Sequence, residues 1–223
     1  MIREHCTLIR EQCSFIFRTM AKDKTETHIR IAEAAKREFM EYGFKDASMR
    51  RIASSAKITV SGLYKHYASK EEMFASLVDP VLNEMWKQYE KVEIREFSEI
   101  DEPDPDHIWE DKHETEMMMS YIYDHYDAFK LLICKSAGTR YEDLPHELAI
   151  REEETTLAYM DKLRKKGIKI NQVDEKEFHL LVTTCIDAIL EAVRHDFSKD
   201  EAMHYAQTLE LFYEQGWKKL FGY

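Results

Sequence analysis

Apolar side chains recur every three or four residues along most of this chain, which is the spacing of amphipathic α-helices. The first helix that this pattern predicts begins at Thr27 and ends at Gly43, because glycine commonly terminates helices. Its apolar face consists of Ile31, Ala35, Phe39 and Tyr42. Runs that alternate between apolar and polar residues, as strands do, are scarce. The pattern therefore predicts an all-α protein.

A short second helix is predicted to begin after the N-cap Ser48 and to end near Lys57. Its apolar face consists of Met49, Ile52, Ala53 and Ala56. A tight turn separates it from a third helix, which Thr59 caps and which runs to about His66. Two helices joined in this way have the lengths of a helix-turn-helix, whose second helix enters the major groove of DNA.

A long fourth helix is predicted to begin at the capping-box pattern Ser-Lys-Glu-Glu of residues 69–72, and Pro80 is expected to bend or interrupt it. Residues 98–107 are acidic and contain two prolines, which indicates a loop. Asp174 and Ser198 each stand three residues before a glutamate, so they are expected to cap the last two helices. The helices after the fourth are predicted at about residues 108–126, 127–137, 143–166, 174–195 and 199–221.

The distribution of charge divides the chain into a basic head and an acidic body. A formal net charge of -11 would disfavour a nucleic-acid partner if it were evenly spread, because phosphate binding needs Lys and Arg. Residues 20–70, however, hold eleven Lys and Arg against six Asp and Glu, whereas residues 71–223 hold eighteen against thirty-five. This asymmetry is typical of a DNA-binding domain joined to a domain with another role.

Neither residue spacing nor hydropathy indicates a metal, a cofactor or a membrane. The four cysteines form no CxxC pair, and the histidines form no HExxH motif, so we expect a reduced, cytoplasmic protein without metal or cofactor. No apolar run approaches the roughly 20 residues that a membrane span needs. Residues 1–19 lack the apolar stretch of a secretory signal. They are expected to be either a disordered arm or an upstream-extended start.

Polar side chains, several of them basic, surround the core of the predicted helix-turn-helix. They are Arg50, Arg51, Lys57, Thr59, Ser61, Lys65, His66 and Lys70. The core itself is predicted to consist of Ile52, Ala53, Leu63 and Tyr67. This pattern by itself fits a DNA-contacting surface and a solvated basic face equally well, because any small helical bundle can imitate it.

The order of the residues resembles the amino-terminal signature of TetR-type regulators, the TetR/AcrR family, over residues 28–78 without a gap. The segments that carry the resemblance are Arg-Ile-Ala-Glu-Ala-Ala at 30–35, Phe39 to Phe44, Ala-Ser-Met-Arg-Arg-Ile-Ala at 47–53, Ile-Thr-Val-Ser-Gly-Leu-Tyr-Lys-His-Tyr at 58–67 and Ser-Lys-Glu-Glu-Met at 69–73. It implies a three-helix DNA-binding domain over residues 20–70. A larger helical domain for ligand binding and dimerisation would cover residues 71–223.

The resemblance also implies which residues contact DNA. Those at the start of the recognition helix, closest to the base edges, are Val60, Ser61 and Gly62. Those that face the groove wall and the phosphates are Tyr64, Lys65 and His66. Those that contact the phosphate backbone are Arg50, Thr59 and Lys70. Lys57 stands where the family often has glycine, so the turn is expected to place this lysine at a positive φ.

An apolar group rich in methionine and aromatic residues is predicted to line an effector pocket in the body of the protein. Its members are Trp109, Met117, Met118, Tyr121, Phe129, Leu132, Cys134 and Phe178. Such residues suit adaptable apolar sites, although core packing explains any single member more simply. The resemblance places the family's effector cavity in the same domain. It also implies a homodimer held by the last two helices, residues 174–221.

Together these observations predict a DNA-binding transcriptional regulator. We expect a repressor that a small-molecule effector of unidentified chemistry releases from a palindromic double-stranded operator. The alternative from a different class is a helical binding or scaffold protein with a degenerate DNA-binding head. Enzymatic activity is not expected, because the sequence contains no GxSxG elbow and no phosphate-binding loop.

Overall fold

A computed structural model describes residues 25–100 and 114–222, which form α-helices and contain no strand. The first helix, α1, includes residues 25–46. The helices that follow are α2 (Met49–Ser55), α3 (Val60–Tyr64), α4 (Lys70–Glu99), α5 (Glu114–Asp124), α6 (Tyr126–Cys134), α7 (Leu144–Lys165), α8 (Glu175–Arg194) and α9 (Lys199–Phe221). The all-α prediction is confirmed. The predicted extension over residues 1–19 lies outside the described residues.

The chain divides into two compact units, Met1–Leu77 and Val78–Tyr223. The division falls within α4, seven residues after the boundary expected from the sequence. The reason is the packing of the first two turns of α4 in the amino-terminal unit. There the buried Phe74 ring lies edge-on to Phe39, with ring centroids 5.2 Å apart, and to Phe44, at 5.6 Å.

Helix α1 passes Gly43 and continues to residue 46, so the predicted end at this glycine is wrong by about one turn. Gly43 has a φ of 70°, the left-handed conformation that glycine adopts readily. The amide of Ala47 donates to the Gly43 carbonyl at 3.1 Å, which closes the last turn. The chain therefore turns at the glycine without leaving the helical hydrogen-bond pattern.

The caps of α2 and α3 differ. Ser48 occupies the N-cap position of α2, as predicted, but its side chain makes no capping hydrogen bond. Thr59 caps α3 with its hydroxyl, which accepts the Gly62 amide at 2.9 Å. Lys57 in the turn between them has a φ of 55°, so the expected left-handed conformation is confirmed. Helix α3 ends at Tyr64, two residues earlier than predicted.

Pro80 lies inside α4 and does not interrupt it, so of the predicted bend or interruption the interruption is wrong. Proline cannot donate the helix hydrogen bond, but neighbouring groups hold the helix on both sides of it. The Asp79 carboxylate accepts hydrogen bonds from the Tyr141 hydroxyl at 2.5 Å and from Arg140 at 2.8 Å. One residue beyond the proline, the Val81 carbonyl accepts the Tyr121 hydroxyl at 2.9 Å. These contacts keep α4 continuous.

In the second unit α7 packs on α8, and α9 packs on both α5 and α8. Asp174 caps α8 by accepting the amides of Lys176 and Glu177 at 3.0 and 3.1 Å. Ser198 and Glu201 form a complete capping box at the start of α9. Both predicted caps are therefore confirmed, and the cap at α9 fixes the direction in which the chain leaves the turn after α8.

Candidate nucleic-acid interface

Helices α2 and α3 form a helix-turn-helix whose apolar residues face inward. Ile52 and Leu63 are fully buried, and they hold the two helices together through the core of the amino-terminal unit. Arg50, Ser61 and Lys65 are exposed. Polar and basic side chains of the helix-turn-helix are thus accessible around its buried apolar core.

The nine residues that the sequence analysis assigned to DNA differ in exposure. Those that are exposed are Arg50, Thr59, Ser61, Tyr64 and Lys65. Those that are partly exposed are Val60, Gly62, His66 and Lys70. Tyr64 exposes 49% of its surface, a large fraction for an aromatic residue. None of the nine is buried in the core, so each is sterically accessible to a partner.

The start of α3 is crowded around Gly62. A Cβ atom at this position would lie 3.1 Å from the Thr59 hydroxyl oxygen, the same atom that accepts the Gly62 amide. Glycine weakens a helix by about 1 kcal/mol relative to alanine, so the residue is unfavourable for α3 by propensity. The close approach of the capping hydroxyl gives a structural reason for glycine here.

Arg51, unlike its neighbour Arg50, is bound within the protein. Its Nε atom donates to Glu38 Oε1 at 2.7 Å, and its guanidinium lies 4.2 Å from the Tyr42 ring centre. The hydrogen bond to Glu38 raises the pKa of the Arg51 guanidinium above its ordinary value. The two consecutive arginines therefore have different roles, because Arg51 positions α2 while Arg50 projects into solvent.

Glu38 is the residue that organises this region, and the sequence analysis did not select it. Its side chain is 8% exposed, and the same Oε1 atom accepts the Ser48 amide at 2.7 Å. The carboxylate therefore satisfies the backbone amide of Ser48, the N-cap residue of α2. The signal available in the sequence was a glutamate on an otherwise apolar face of the predicted first helix.

Lys70, the predicted phosphate contact, is oriented by two backbone carbonyls. Its ammonium donates to the carbonyls of Lys45 at 3.0 Å and Ala47 at 3.1 Å, and it lies 4.6 Å from the Phe44 ring centre. These bonds hold the charge at the carboxyl end of α1. The contact of this lysine with DNA stays a prediction.

His66 contacts a second histidine that the sequence analysis also missed. Its Nδ1 lies 3.1 Å from Nε2 of His28 on α1, and the two rings are nearly perpendicular at 87°. The two residues are 38 positions apart, so no local pattern indicates the pair. The ring of a predicted DNA-contacting residue is therefore held against helix α1.

The residues predicted to bind an effector fall into two places. Tyr121 packs on Phe129 with ring centroids 6.0 Å apart, and Leu132 is buried in the same helix as Phe129. Met117 is 52% exposed, whereas Met118 and Cys134 are partly buried. The side chains named so far belong to α5 and α6. Trp109 lies outside the described residues.

Phe178 lies elsewhere in the second unit. Its ring packs on Trp217 and Phe221, with ring centroids 5.7 and 5.6 Å away. Helix α5 approaches α8 near the other end, where the Tyr123 hydroxyl donates to the Ala192 carbonyl at 3.1 Å. Fourteen residues of helix separate Phe178 from Ala192, which is roughly 20 Å at 1.5 Å per residue. The structure does not bring Phe178 to the α5–α6 group.

The second unit also has a surface depression of about 390 Å³. It is formed by Glu153, Glu175, Lys176, His179 and Leu180, none of which was predicted to bind an effector. His179 Nδ1 lies 2.7 Å from the Glu153 carboxylate. In the described parts of the chain, no group of three or more His, Cys, Asp or Glu side chains could hold a metal ion. No helix among the same residues is long and apolar enough to cross a membrane.

Helices α8 and α9 expose large apolar side chains within the segment predicted to dimerise. The exposed fractions are 66% for Leu180, 43% for Leu181, 69% for Leu211 and 73% for Phe212. Scattered apolar residues are ordinary on protein surfaces, but four on two helices that pack on each other are a concentration. We refer to these four side chains as the α8–α9 apolar face.

Comparison with known proteins identifies the amino-terminal unit. Residues 31–77 match the sequence profile of the family described as "Bacterial regulatory proteins, tetR family". The transcriptional repressor SCO4008 of Streptomyces coelicolor is 31% identical over 136 residues, which cover 60% of this chain and 61% of that protein. The regulator UidR of Escherichia coli K12 is 37% identical over 59 residues, which cover 26% of this chain and 30% of UidR. The chain thus spans less than two thirds of both relatives.

A solved structure of similar fold covers more of the chain. NalD, the secondary repressor of the MexAB-OprM multidrug efflux pump in Pseudomonas aeruginosa, superimposes with a TM-score of 0.53 and 18% identity. The alignment covers 84% of this chain and 95% of NalD. At this identity the similarity demonstrates a shared fold.

Proposed function

We propose that this chain, which belongs to the TetR family of bacterial regulatory proteins, is a dimeric repressor that binds a palindromic DNA operator and is released by a small molecule. The observation that carries the proposal is the helix-turn-helix at α2 and α3. It lies in the segment that matches the family and exposes Arg50, Ser61 and Lys65. No catalytic step is assigned to the protein.

The exposed side chains have the chemistry that DNA recognition needs. Arg50 and Lys65 can neutralise phosphates, and the Ser61 hydroxyl can donate to or accept from a base edge. The five residues of α3 are enough to enter a major groove about 12 Å wide, because contacts concentrate at the amino-terminal end of a recognition helix. Specificity would therefore come from Val60, Ser61 and the residues beside them.

The α8–α9 apolar face supports the proposed homodimer. Leu211 and Phe212 lie on α9 and expose about 70% of their surface each, so a single chain leaves them in water. A second copy related by twofold symmetry would present the same residues, and the two faces would cover each other. A symmetric dimer also matches an operator with two half-sites, as the helix-turn-helix proteins require.

The effector site is proposed at the α5–α6 group, with Trp109, Met117, Met118, Tyr121, Phe129, Leu132 and Cys134. Methionine and aromatic side chains can repack around ligands of different shape. Phe178 stands apart from this group and is retained only as a separate candidate. A ligand here would lower operator affinity only if it binds the dimer's DNA-incompetent form more tightly, and a coupling of 1 to 3 kcal/mol would be typical.

The test of DNA binding is in vitro selection of duplexes from a random library by the full chain, followed by titration of the selected duplex against salt. We expect an inverted repeat and a strong decrease of affinity with salt. Arg50→Glu and Lys65→Glu should each weaken binding at least tenfold. Lys87→Glu changes charge equally at an exposed position of α4 outside the proposed interface, so it should leave affinity within twofold.

If no duplex is enriched, or if Lys87→Glu weakens binding as much as Lys65→Glu, the DNA-binding proposal is wrong. The alternative of a helical scaffold protein with a degenerate head would then be favoured. A thermal-shift screen followed by operator titration with each stabilising compound tests whether a small molecule releases the protein from its operator. Compounds that stabilise the fold and leave operator affinity unchanged would contradict effector release.

A further inference from the structure

The end of the recognition helix is tied to α1 by two side chains. The His66 backbone amide donates to the Leu63 carbonyl at 2.9 Å, so the backbone of His66 continues from α3. Its ring, however, points to α1, where Nδ1 meets Nε2 of His28 at 3.1 Å and the ring centroids are 4.6 Å apart. His66 is thus attached to α3 by its backbone and to α1 by its side chain.

The pair has a restricted protonation chemistry. A neutral imidazole has one N–H donor and one acceptor nitrogen, so two neutral rings form the contact when one donates to the other. One added proton still leaves an acceptor in the pair and makes the bond charge-assisted, which strengthens it. Two added protons turn both facing nitrogens into donors, and the contact is lost. The bond between His28 and His66 therefore tolerates one proton and not two.

The surroundings of the pair are open to solvent and to a polyanion. His28 is exposed and His66 is partly exposed. The Tyr67 ring lies 6.2 Å from that of His28, while Lys65 precedes His66 and adds a positive charge to the exposed surface. The pair is therefore accessible to the phosphates of a bound duplex.

We propose that His28 is a positioning residue for DNA binding, which acts through His66 by fixing the direction and the tautomer of its ring. This inference rests on the proposed DNA-binding function. It implies that removing the His28 imidazole weakens operator binding, and that a side chain able to hydrogen-bond to His66 Nδ1 restores it.

The first experiment does not involve DNA. Ring nitrogens of the full-length protein labelled with ¹⁵N histidine would be assigned at pH 7.5 by NMR, which distinguishes the two tautomers of each imidazole. We expect one dominant tautomer of His66 in the native chain and a mixture in His28→Ala. His195→Ala removes an exposed imidazole of the second unit and should leave the His66 signals unchanged. An unchanged tautomer of His66 in His28→Ala would overturn the positioning role.

The second experiment measures affinity for the selected duplex at pH 7.5. His28→Ala should weaken binding about three- to tenfold, the usual range for one lost hydrogen bond. His28→Gln keeps a side chain that can hydrogen-bond to His66, so its affinity should stay within twofold of that of the native chain. An equal loss of affinity in His28→Ala and His28→Gln, or no loss in either, would contradict the proposal.

The two experiments separate the possible failures. If the His66 tautomer changes in His28→Ala but no duplex is enriched in the selection, the histidine contact is supported and the proposed function of the protein is refuted. DNA binding with no change of tautomer and no loss of affinity in His28→Ala would refute the role of His28 alone. If His28→Ala loses its fold and with it the His66 NMR signals, His28→Gln serves as the second variant, because it preserves the size and polarity of the side chain.

Discussion

Replacing the buried carboxylate of Glu38 should destabilise the amino-terminal unit more than replacing its charged partner. Glu38→Ala removes the acceptor of the Ser48 amide and of Arg51 Nε, both at 2.7 Å. A hydrogen bond to a charged group contributes about 1.5 to 3 kcal/mol, and a partly buried amide left without an acceptor adds to the loss. The Arg51 side chain is 49% exposed, so solvent screening keeps its contribution to stability small. The expected cost is about 2 to 3 kcal/mol.

Two further variants test this reasoning. Arg51→Ala should destabilise the unit clearly less than Glu38→Ala, because the Ser48 amide keeps its acceptor and the ion pair is screened by solvent. Glu38→Gln retains an acceptor oxygen and should cost about 1 kcal/mol. Native-state hydrogen exchange measured by mass spectrometry follows the effect on α2 directly. A loss of 2 to 3 kcal/mol speeds exchange of the α2 amides about 30- to 150-fold. Equal effects of Arg51→Ala and Glu38→Ala would refute the central role of the carboxylate.

Other variants test separate features of the molecule. Lys57→Gly removes a lysine from a φ of 55° and should raise the free energy of unfolding by about 0.5 to 1 kcal/mol in urea titrations. Lys70→Ala should lower the slope of log affinity against log salt by about one if the ammonium contacts a phosphate; an unchanged slope removes it from the contacts. Phe212→Lys should convert the dimer to a monomer in sedimentation experiments at micromolar concentration, and a persistent dimer would exclude this face. Burial raises the pKa of the Cys185 thiol to about 12, so its thiolate forms only at high pH, and its alkylation at pH 8 should be far slower than that of an ordinary thiol with a pKa near 8.5. Peptide mass spectrometry would measure that rate, and fast labelling would contradict the burial of Cys185.

The positions of the helices could be predicted because their signals are local. The capping box at Ser198 and the apolar periodicity of α8 and α9 are contained in a few adjacent residues, and their bounds agree with the sequence analysis to within a residue. Pro80 was misread because its cost is local, whereas the contacts that hold α4 come from Tyr141, about 60 residues away. Propensity alone could not include that compensation.

The candidate site was only partly predictable for the same reason. The exposed residues of α3 could be named from the resemblance, because they lie in one continuous segment. Glu38 and His28 act on residues 10 and 38 positions away, and only the packing of α1 on the helix-turn-helix creates those contacts. Phe178 was grouped with Tyr121 because periodicity shows which face of a helix is apolar but not which neighbour that face meets.

The left-handed backbone conformation of Lys57, in the turn between α2 and α3, has a consequence for mutational scanning. Position 57 combines a strained backbone with an exposed positive charge three residues before α3. A library of variants at this position, sorted for resistance to proteolysis, should enrich glycine because it relieves the strain. The same library sorted for retention on a DNA column should enrich lysine and arginine, because they strengthen the attraction to phosphate. The rankings of variants by protease resistance and by DNA retention should therefore run in opposite directions at this residue. At Ile52 or Leu63 the two rankings should agree, because a variant that does not fold also does not bind DNA.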